Sequence, residues 1–148
     1  MTEEERIFRG ELFASEEPEL VEKKRRAHRL SQKYNETFED DAEVREAILR
    51  ELLGELGEGV CMLGPVRFHY GCHTRVGNHC FMNFNFTVQD DALVTIGDHC
   101  NFGPNVTIVT PMHPMLPDER RGMVCDDGGE RFLCYAKPVT IGHDCWFG

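Results

Sequence analysis

Apolar residues recur at every sixth position through the second part of this chain. Val76, Met82 and Val88 form one run, Ile96, Phe102 and Ile108 a second, and Ile141 and Phe147 open a third. The position four residues after each is often small or apolar, as at Cys80, Phe86, Ala92, Cys100, Val106, Met112 and Cys145. Such self-similarity at a fixed short period is the signature of a solenoid. A six-residue unit with two inward residues and one corner builds one flat side of a triangular coil, so about 18 residues complete a turn. Glycine follows the aliphatic position at Gly77, Gly97, Gly103, Gly142 and Gly148, which reads as a corner needing positive φ. The phase slips twice. Eight residues separate Val88 from Ile96, placing an excess of two near Gln89-Asp90-Asp91. From Ile108 to Ile141 it slips again, and residues 110–137, rich in Pro, Asp, Gly and Arg, read as a long loop extruded from the coil.

Residues 1–58 have a different pattern and read as an N-terminal helical capping segment ahead of a coil over 59–148. Leu20, Ala27, Leu30 and Tyr34 share one helical face, with Glu22, Lys23, Arg25, Arg26 and Arg29 opposite. Ser15-Glu16-Glu17-Pro18 reads as its start, with Ser15 as the capping hydroxyl. Val44, Ala47, Ile48 and Leu52 suggest a second helix behind Asp40 or Asp41, ended by Gly54 and Gly57. The basic run Glu22–Arg29 reads as a solvated helix face, because acids surround it. The net charge of −10 argues against a nucleic-acid or anionic-membrane surface, which requires clustered Lys and Arg. The start Met-Thr-Glu-Glu-Glu-Arg lacks a basic region followed by an apolar stretch, so a cytoplasmic location is expected. Seven cysteines, an odd number with no Cys-x-x-Cys pair, read as reduced and mostly buried.

Several ordered words narrow the reading: Arg9-Gly10-Glu11-Leu12-Phe13, Asn83-Phe84-Asn85 followed by Asp90-Asp91, Ile96-Gly97-Asp98, Gly103-Pro104-Asn105-Val106, His113-Pro114, and Lys137-Pro138-Val139-Thr140-Ile141-Gly142 ending in Cys145-Trp146-Phe147-Gly148. Over its whole length the chain resembles the maltose and galactoside O-acetyltransferases of the hexapeptide-repeat superfamily. The resemblance implies a mainly β fold, a left-handed parallel β-helix, since spacing alone does not give the hand. It also implies acetyl-CoA as co-substrate, a small sugar such as maltose, glucose or a galactoside as acceptor, and a homotrimer with clefts between subunits. In such relatives further coils and a basic segment follow the Trp-x-Gly word. The coil is therefore read as truncated at its C-terminus, with much of the cofactor surface beyond Gly148.

Acetyl transfer to a hydroxyl needs a base, and histidine, with an unperturbed pKa near 6.5, suits that task. By the resemblance, His113 of the His-Pro pair is the general base and Asn83 helps stabilise the transition state. A donor of that kind is worth about 3–4 kcal/mol of barrier. Asn85 and Asn101 fit a corner ladder better. Asp91 aligns with an acceptor-contacting acid, although an acidic turn residue has the same spelling. Ser15 and His69 stand where the family commonly has Asp, and Ser or Asp, so both are candidate acceptor contacts with altered chemistry. Ser15 is equally a helix cap. Trp146 is a candidate border of the acetyl-CoA groove or a core or trimer-contact aromatic.

His79-Cys80, His99-Cys100 and His143-Asp144-Cys145 at similar phase could spell a metal ladder. The cysteines fall inward and the histidines outward, so no metal is expected and the cysteines are assigned to the core. Direct transfer to a hydroxyl needs no cysteine nucleophile. Two other readings stand beside the acetyltransferase. One is a truncated, catalytically impaired trimeric scaffold or degraded gene product, and the other a metal-dependent carbonic-anhydrase-like enzyme on the same coil.

Overall fold

A computed structural model describes residues 1–148. In chain order the elements are α1 (Glu3–Phe8), β1 (Phe13–Ala14), α2 (Pro18–Asn35), α3 (Ala42–Leu52), β2 (Glu55–Leu56), β3 (Cys61–Met62), β4 (Val66–Phe68), β5 (Thr74–Val76), β6 (Phe81–Met82), β7 (Phe86–Gln89), β8 (Val94–Ile96), β9 (Asn101–Phe102), β10 (Thr107–Val109), β11 (Pro111–Met112), α4 (Pro117–Arg121), β12 (Met123–Val124), β13 (Glu130–Arg131), β14 (Leu133–Ala136), β15 (Val139–Ile141) and β16 (Trp146–Phe147). Three parallel ladders build the sides of a prism, in the orders β2-β5-β8-β15, β3-β6-β9-β16 and β4-β7-β10. The parallel pairing already starts at Glu55, which lies opposite Arg75. No helix is long and apolar enough to cross a membrane.

The coil is 20 residues long, not 18: Glu55, Arg75 and Thr95 are successive partners in the first ladder. The extra pair lies at the same corner in every turn, between the third ladder and the first. That corner is Gly71-Cys72-His73 with its neighbours in the lowest coil and Asp90–Leu93 in the next. In the third it is the whole extruded segment, because β10 ends at Val109 and β15 begins at Val139. The single excess read near residue 90 is thus one instance of a repeating feature. The extruded segment is also more ordered than a loop. β11 and β14 pair antiparallel, β14 pairs with β1 of the cap, and β12 and β13 form a hairpin.

Inward residues fill the prism as the period requires. Met62, Val66, Phe68, Val76, Cys80, Met82, Phe86, Val88, Val94, Ile96, Cys100 and Phe102 are all buried. Phe68, Phe86, Phe102 and Phe147 make a column, with ring centroids 6.1, 5.1 and 5.0 Å apart. Helix α2 packs its Ala27, Leu30 and Tyr34 face against this core, and Asn35 satisfies both the N–H and the carbonyl of Val66 on the bottom edge strand. That bond pair and the Ser31 hydroxyl accepting from Phe68 N–H close an edge that would otherwise be exposed.

The corner glycines do a different job from the one the sequence suggests. Positive φ falls two residues later, at His79, His99 and Asp144. Gly77 is required by close stacking: a Cβ there would come within 2.6 Å of the Gly97 carbonyl carbon. Backbone hydrogen bonds between coils hold this spacing, as from Gly77 N–H to the Ile96 carbonyl at 2.8 Å. The corner between the first and second ladders also has a side-chain ladder in which Asn78 accepts from Glu58 N–H, Asp98 from Asn78 N–H and His143 from Asp98 N–H. Asn85 donates to Asn105 in a second ladder, whereas Asn101 lies on a strand and takes no part.

The caps and cysteines need correction too. The N-cap residue of α2 is Glu17, so Ser15 is not its cap, and α1 has a Thr2–Glu5 capping box that no sequence pattern above marked. Only Cys80, Cys100 and Cys134 are buried, while Cys61 and Cys72 are exposed. The Cys80 and Cys100 thiols donate to the corner carbonyls of Gly97 and Gly142 at 3.1 and 3.0 Å. Gly77→Ala is expected to lower the unfolding free energy by about 1–3 kcal/mol, through overpacking against backbone that cannot move aside. Thr107→Ala, on an outward position, stays within about 0.5 kcal/mol. Urea titration of the two variants checks both.

Candidate functional site

The widened corner collects most of the candidate residues because a small second core forms beneath it. Ile7, Phe13, Leu20, Tyr70, Ala92, Cys134 and Ala136 pack together there, joining α1, β1, α2, the corner and the stem of the extruded segment. The sheet β1-β14-β11 lies over this core. Its register pairs Met112 with Tyr135 and Phe13 with Cys134, so one further step along β11 brings His113 level with Cys134 and Phe13. Ser15 follows β1 directly, two strands across from His113.

Asp90 and Asp91 have sharply different surroundings. Asp90 is the turn residue: its two carboxylate oxygens accept from Tyr70 N–H at 2.8 Å and the Thr74 hydroxyl at 2.7 Å. Asp91 is 3 % exposed, and its Oδ2 has no partner. Burial, reinforced by the neighbouring Asp90 charge, pushes its pKa up to about 6. The Tyr70 hydroxyl is likewise buried without a partner, and burial drives its pKa well up. Buried polar atoms left unpaired by protein groups are costly and in native proteins are concentrated at functional positions or are bonded by water.

His69 stands beside this pair, half-buried, with its ring edge-on to Tyr70 at 5.0 Å and 5.6 Å from His28. Burial, aided by the Lys24 and His28 charges, pushes its pKa down to about 4, so at neutral pH it is a neutral donor and acceptor. A polar groove of about 600 Å³ leads away from it, lined by His28, Gln32, Asn35, Arg67 and Gln89. The Ser15 hydroxyl makes only a 3.4 Å contact with Glu16, and its carbonyl accepts from Lys24 Nζ at 2.8 Å.

Lys24 is a residue that sequence reasoning missed. It lies in the run whose pattern predicts a solvated face, yet its side chain is only 13 % exposed. Its charge acts on His69, Asp91 and Cys134 and favours the ionised form of Asp91. A lysine inside a mixed-charge helix run carries no signal of which way it turns. His73 was missed as well. It is buried, with Nδ1 2.8 and 2.9 Å from the Asp90 and Asp91 carbonyls and Nε2 2.8 Å from Glu4. Burial opposes its charging, but contacts with Cys72, Glu4 and the Asp90 carbonyl prevail and raise its pKa to about 9.

Two candidates lie elsewhere. Asn83 follows β6 at the opposite corner of the third ladder, separated from the Asp91 corner by β7, about 13 Å of strand. Its Oδ1 accepts from Phe84 N–H, and its amide nitrogen has no protein acceptor. Trp146 is on that side too, 80 % exposed on β16, two coils above Phe81 in the second ladder. Within one chain, therefore, His113, Asp91, His69 and Ser15 gather at one corner, and Asn83 and Trp146 at another.

No group of three or more His, Cys, Asp or Glu side chains is arranged to hold a metal. The His79 and His99 rings stack at 5.3 Å, Cys80 and Cys100 turn into the prism, and the register places Asp144 rather than His143 opposite His99.

Residues 6–57 match the maltose acetyltransferase hexapeptide capping motif, the α1–β2 region that carries Ser15 and Lys24. Nodulation protein L of Rhizobium meliloti (strain 1021) is 36 % identical over 147 residues, 99 % of this chain and 75 % of that protein. The chain belongs to the maltose and galactoside O-acetyltransferase family. Another member, galactoside O-acetyltransferase of Escherichia coli (strain K12), is 35 % identical over 97 % of this chain, which spans 66 % of that protein's length. Among solved structures of the O-acetyltransferases, a maltose O-acetyltransferase from Clostridium difficile 630 superposes with a TM-score of 0.89 at 32 % identity, covering 99 % of this chain and 73 % of that one. A galactoside acetyltransferase in complex with coenzyme A gives 0.85 at 34 % identity, over 99 % and 68 %.

The electrostatics of the corner predict two stability effects. Asp91 has a folded pKa of about 6 against an unfolded 3.8, so the destabilisation from its ionisation sets in as pH rises above 3.8 and is complete above about pH 6. Asp91→Asn is expected to raise stability at pH 7 by about 1–3 kcal/mol, read by urea denaturation. His73 has a folded pKa of about 9 against 6.5, so its contribution is complete below about pH 6.5 and is lost as pH rises through 9. Thermal melts between pH 7 and 10 should show a fall in Tm that is smaller in Glu4→Gln.

Proposed function

We propose that this chain is an acetyl-CoA-dependent O-acetyltransferase acting on a hydroxyl of a small sugar, on a left-handed coil. The observation that carries this reading is the buried Asp91 carboxylate with an unpartnered oxygen, at the corner from which the His113-Pro114 segment departs. A largely buried carboxylate with an oxygen free of protein partners is suited to accept from sugar hydroxyls, and neutral His69 and the Ser15 hydroxyl add a mixed donor and acceptor set. Family membership and a relative solved with coenzyme A support the same reading.

In this reading Asp91, His69 and Ser15 hold the acceptor, and His113 takes the proton of the hydroxyl that attacks. Acetyl-CoA supplies the thioester carbonyl under attack. The free amide nitrogen of Asn83 is the donor to the developing oxyanion. His113 returns its proton to the departing thiol, so the base is restored in one turnover. The exposed Trp146 ring is suited to packing against the pantetheine arm.

The two corners are a prism side apart, so one chain cannot bring Asn83 to His113. A cyclic homotrimer in which one subunit's Asn83 corner meets the next subunit's His113 corner satisfies this geometry. Coenzyme A release with maltose, glucose and galactosides tests the reading. His113→Ala should lower kcat by about 10²–10⁴-fold, and Asn83→Ala by about 10²–10³-fold. No release with any sugar overturns the activity.

A further inference from the structure

His73 is buried in the corner, yet the acetyl transfer described above does not use it. Its side chain is 4 % exposed and spends both ring nitrogens on the cap and the corner. Nδ1–H points between the Asp90 and Asp91 carbonyls at 2.8 and 2.9 Å, and Nε2–H points at Glu4 Oε1 at 2.8 Å. Glu4 is held in turn by Lys23 Nζ of α2 at 2.6 Å. The ring stacks on Tyr70 at 5.0 Å and meets the Phe8 ring edge-on at 5.0 Å. A neutral ring supplies one N–H, and only the doubly protonated ring supplies donors on both sides.

We propose that His73 is a positioning residue for acceptor binding: the charged ring, fixed from the cap by Glu4 and Lys23, clamps the Asp90–Asp91 backbone so that the Asp91 carboxylate faces the acceptor. This rests on the reading of Asp91 as an acceptor contact. The remaining bonds of the turn do not replace the clamp. Ala92 N–H donates to the Thr110 hydroxyl, and Asp90 is occupied with Tyr70 and Thr74. Neither restrains the two carbonyls. The groups facing the ring are Glu4, Cys72, Tyr70, Asp90 and Asp91, with Lys23 behind Glu4.

Two substitutions separate the ends of the clamp. In His73→Asn the amide nitrogen takes the place of Nδ1 and keeps the carbonyl bonds but not the tie to Glu4. In His73→Gln the amide reaches Glu4 and leaves the carbonyls free. With a sugar that the unsubstituted protein acetylates, His73→Gln should raise acceptor KM about tenfold, with kcat and the acetyl-CoA KM within about twofold. His73→Asn should stay within about threefold of the parent. A second readout needs no turnover. Amide hydrogen exchange at Ala92 and Val94, whose N–H groups donate to the Thr110 hydroxyl and the His73 carbonyl, should speed up about tenfold in His73→Gln and keep its parent rate in His73→Asn. Equal behaviour of the two variants in both measurements overturns the proposal. If no sugar is acetylated, the acetyl-transfer reading fails, and the exchange comparison still decides whether His73 clamps the turn.

Discussion

The parallel hydrogen-bond register between coils is the constraint on which everything else depends. A repeat of 20 residues brings Glu55, Arg75 and Thr95 into line, and the same repeat brings every widened corner into line above the last. Coil spacing of about 4.8 Å leaves no room for side chains where backbone stacks on backbone, which is why glycine stands at positions 57, 77 and 97. The prism interior then has little freedom, and its aliphatic, aromatic and cysteine residues fill a column of fixed width.

Because the widened corner recurs in register, three insertions of unequal length share one place. The lowest contributes Tyr70 and His73, the middle one Asp90 and Asp91, and the uppermost the segment that bears His113. None is a site by itself. The second core joins them to α1, β1 and α2, and so the helical cap supplies Lys24, Glu4 and Ser15 to the corner as well as covering the bottom edge of the coil. The cost is concentrated there too, in an ionisable Asp91 and a Tyr70 hydroxyl buried without partners.

Much of this was legible in the sequence. The six-residue spacing gave the inward residues nearly one by one, because a prism interior admits only small or apolar side chains at fixed intervals. The ordered words gave the family, and they supply the residues proposed for the site. Other features lay outside the reach of spacing. The 20-residue turn was hidden because the first widened corner, Phe68 to Val76, has the same eight-residue step as the second but was not counted as an interruption. The role of the glycines depends on what stacks above them, which a single coil does not reveal. Lys24 and His73 depend on how the cap docks, and no local pattern encodes that. What the structure adds at Asp91 and Ser15 concerns partners alone: Asp90 rather than Asp91 makes the side-chain bonds of the turn, and Glu17 rather than Ser15 precedes α2.

The central claim is that the reacting groups are divided between two corners of one chain and meet between copies. Co-expression of His113→Ala chains with Asn83→Ala chains tests it directly. If neighbouring subunits share each site, random assembly restores about a quarter of the sites, and activity returns to about that fraction from two inactive parents. Mixed oligomers no more active than either parent would contradict the account.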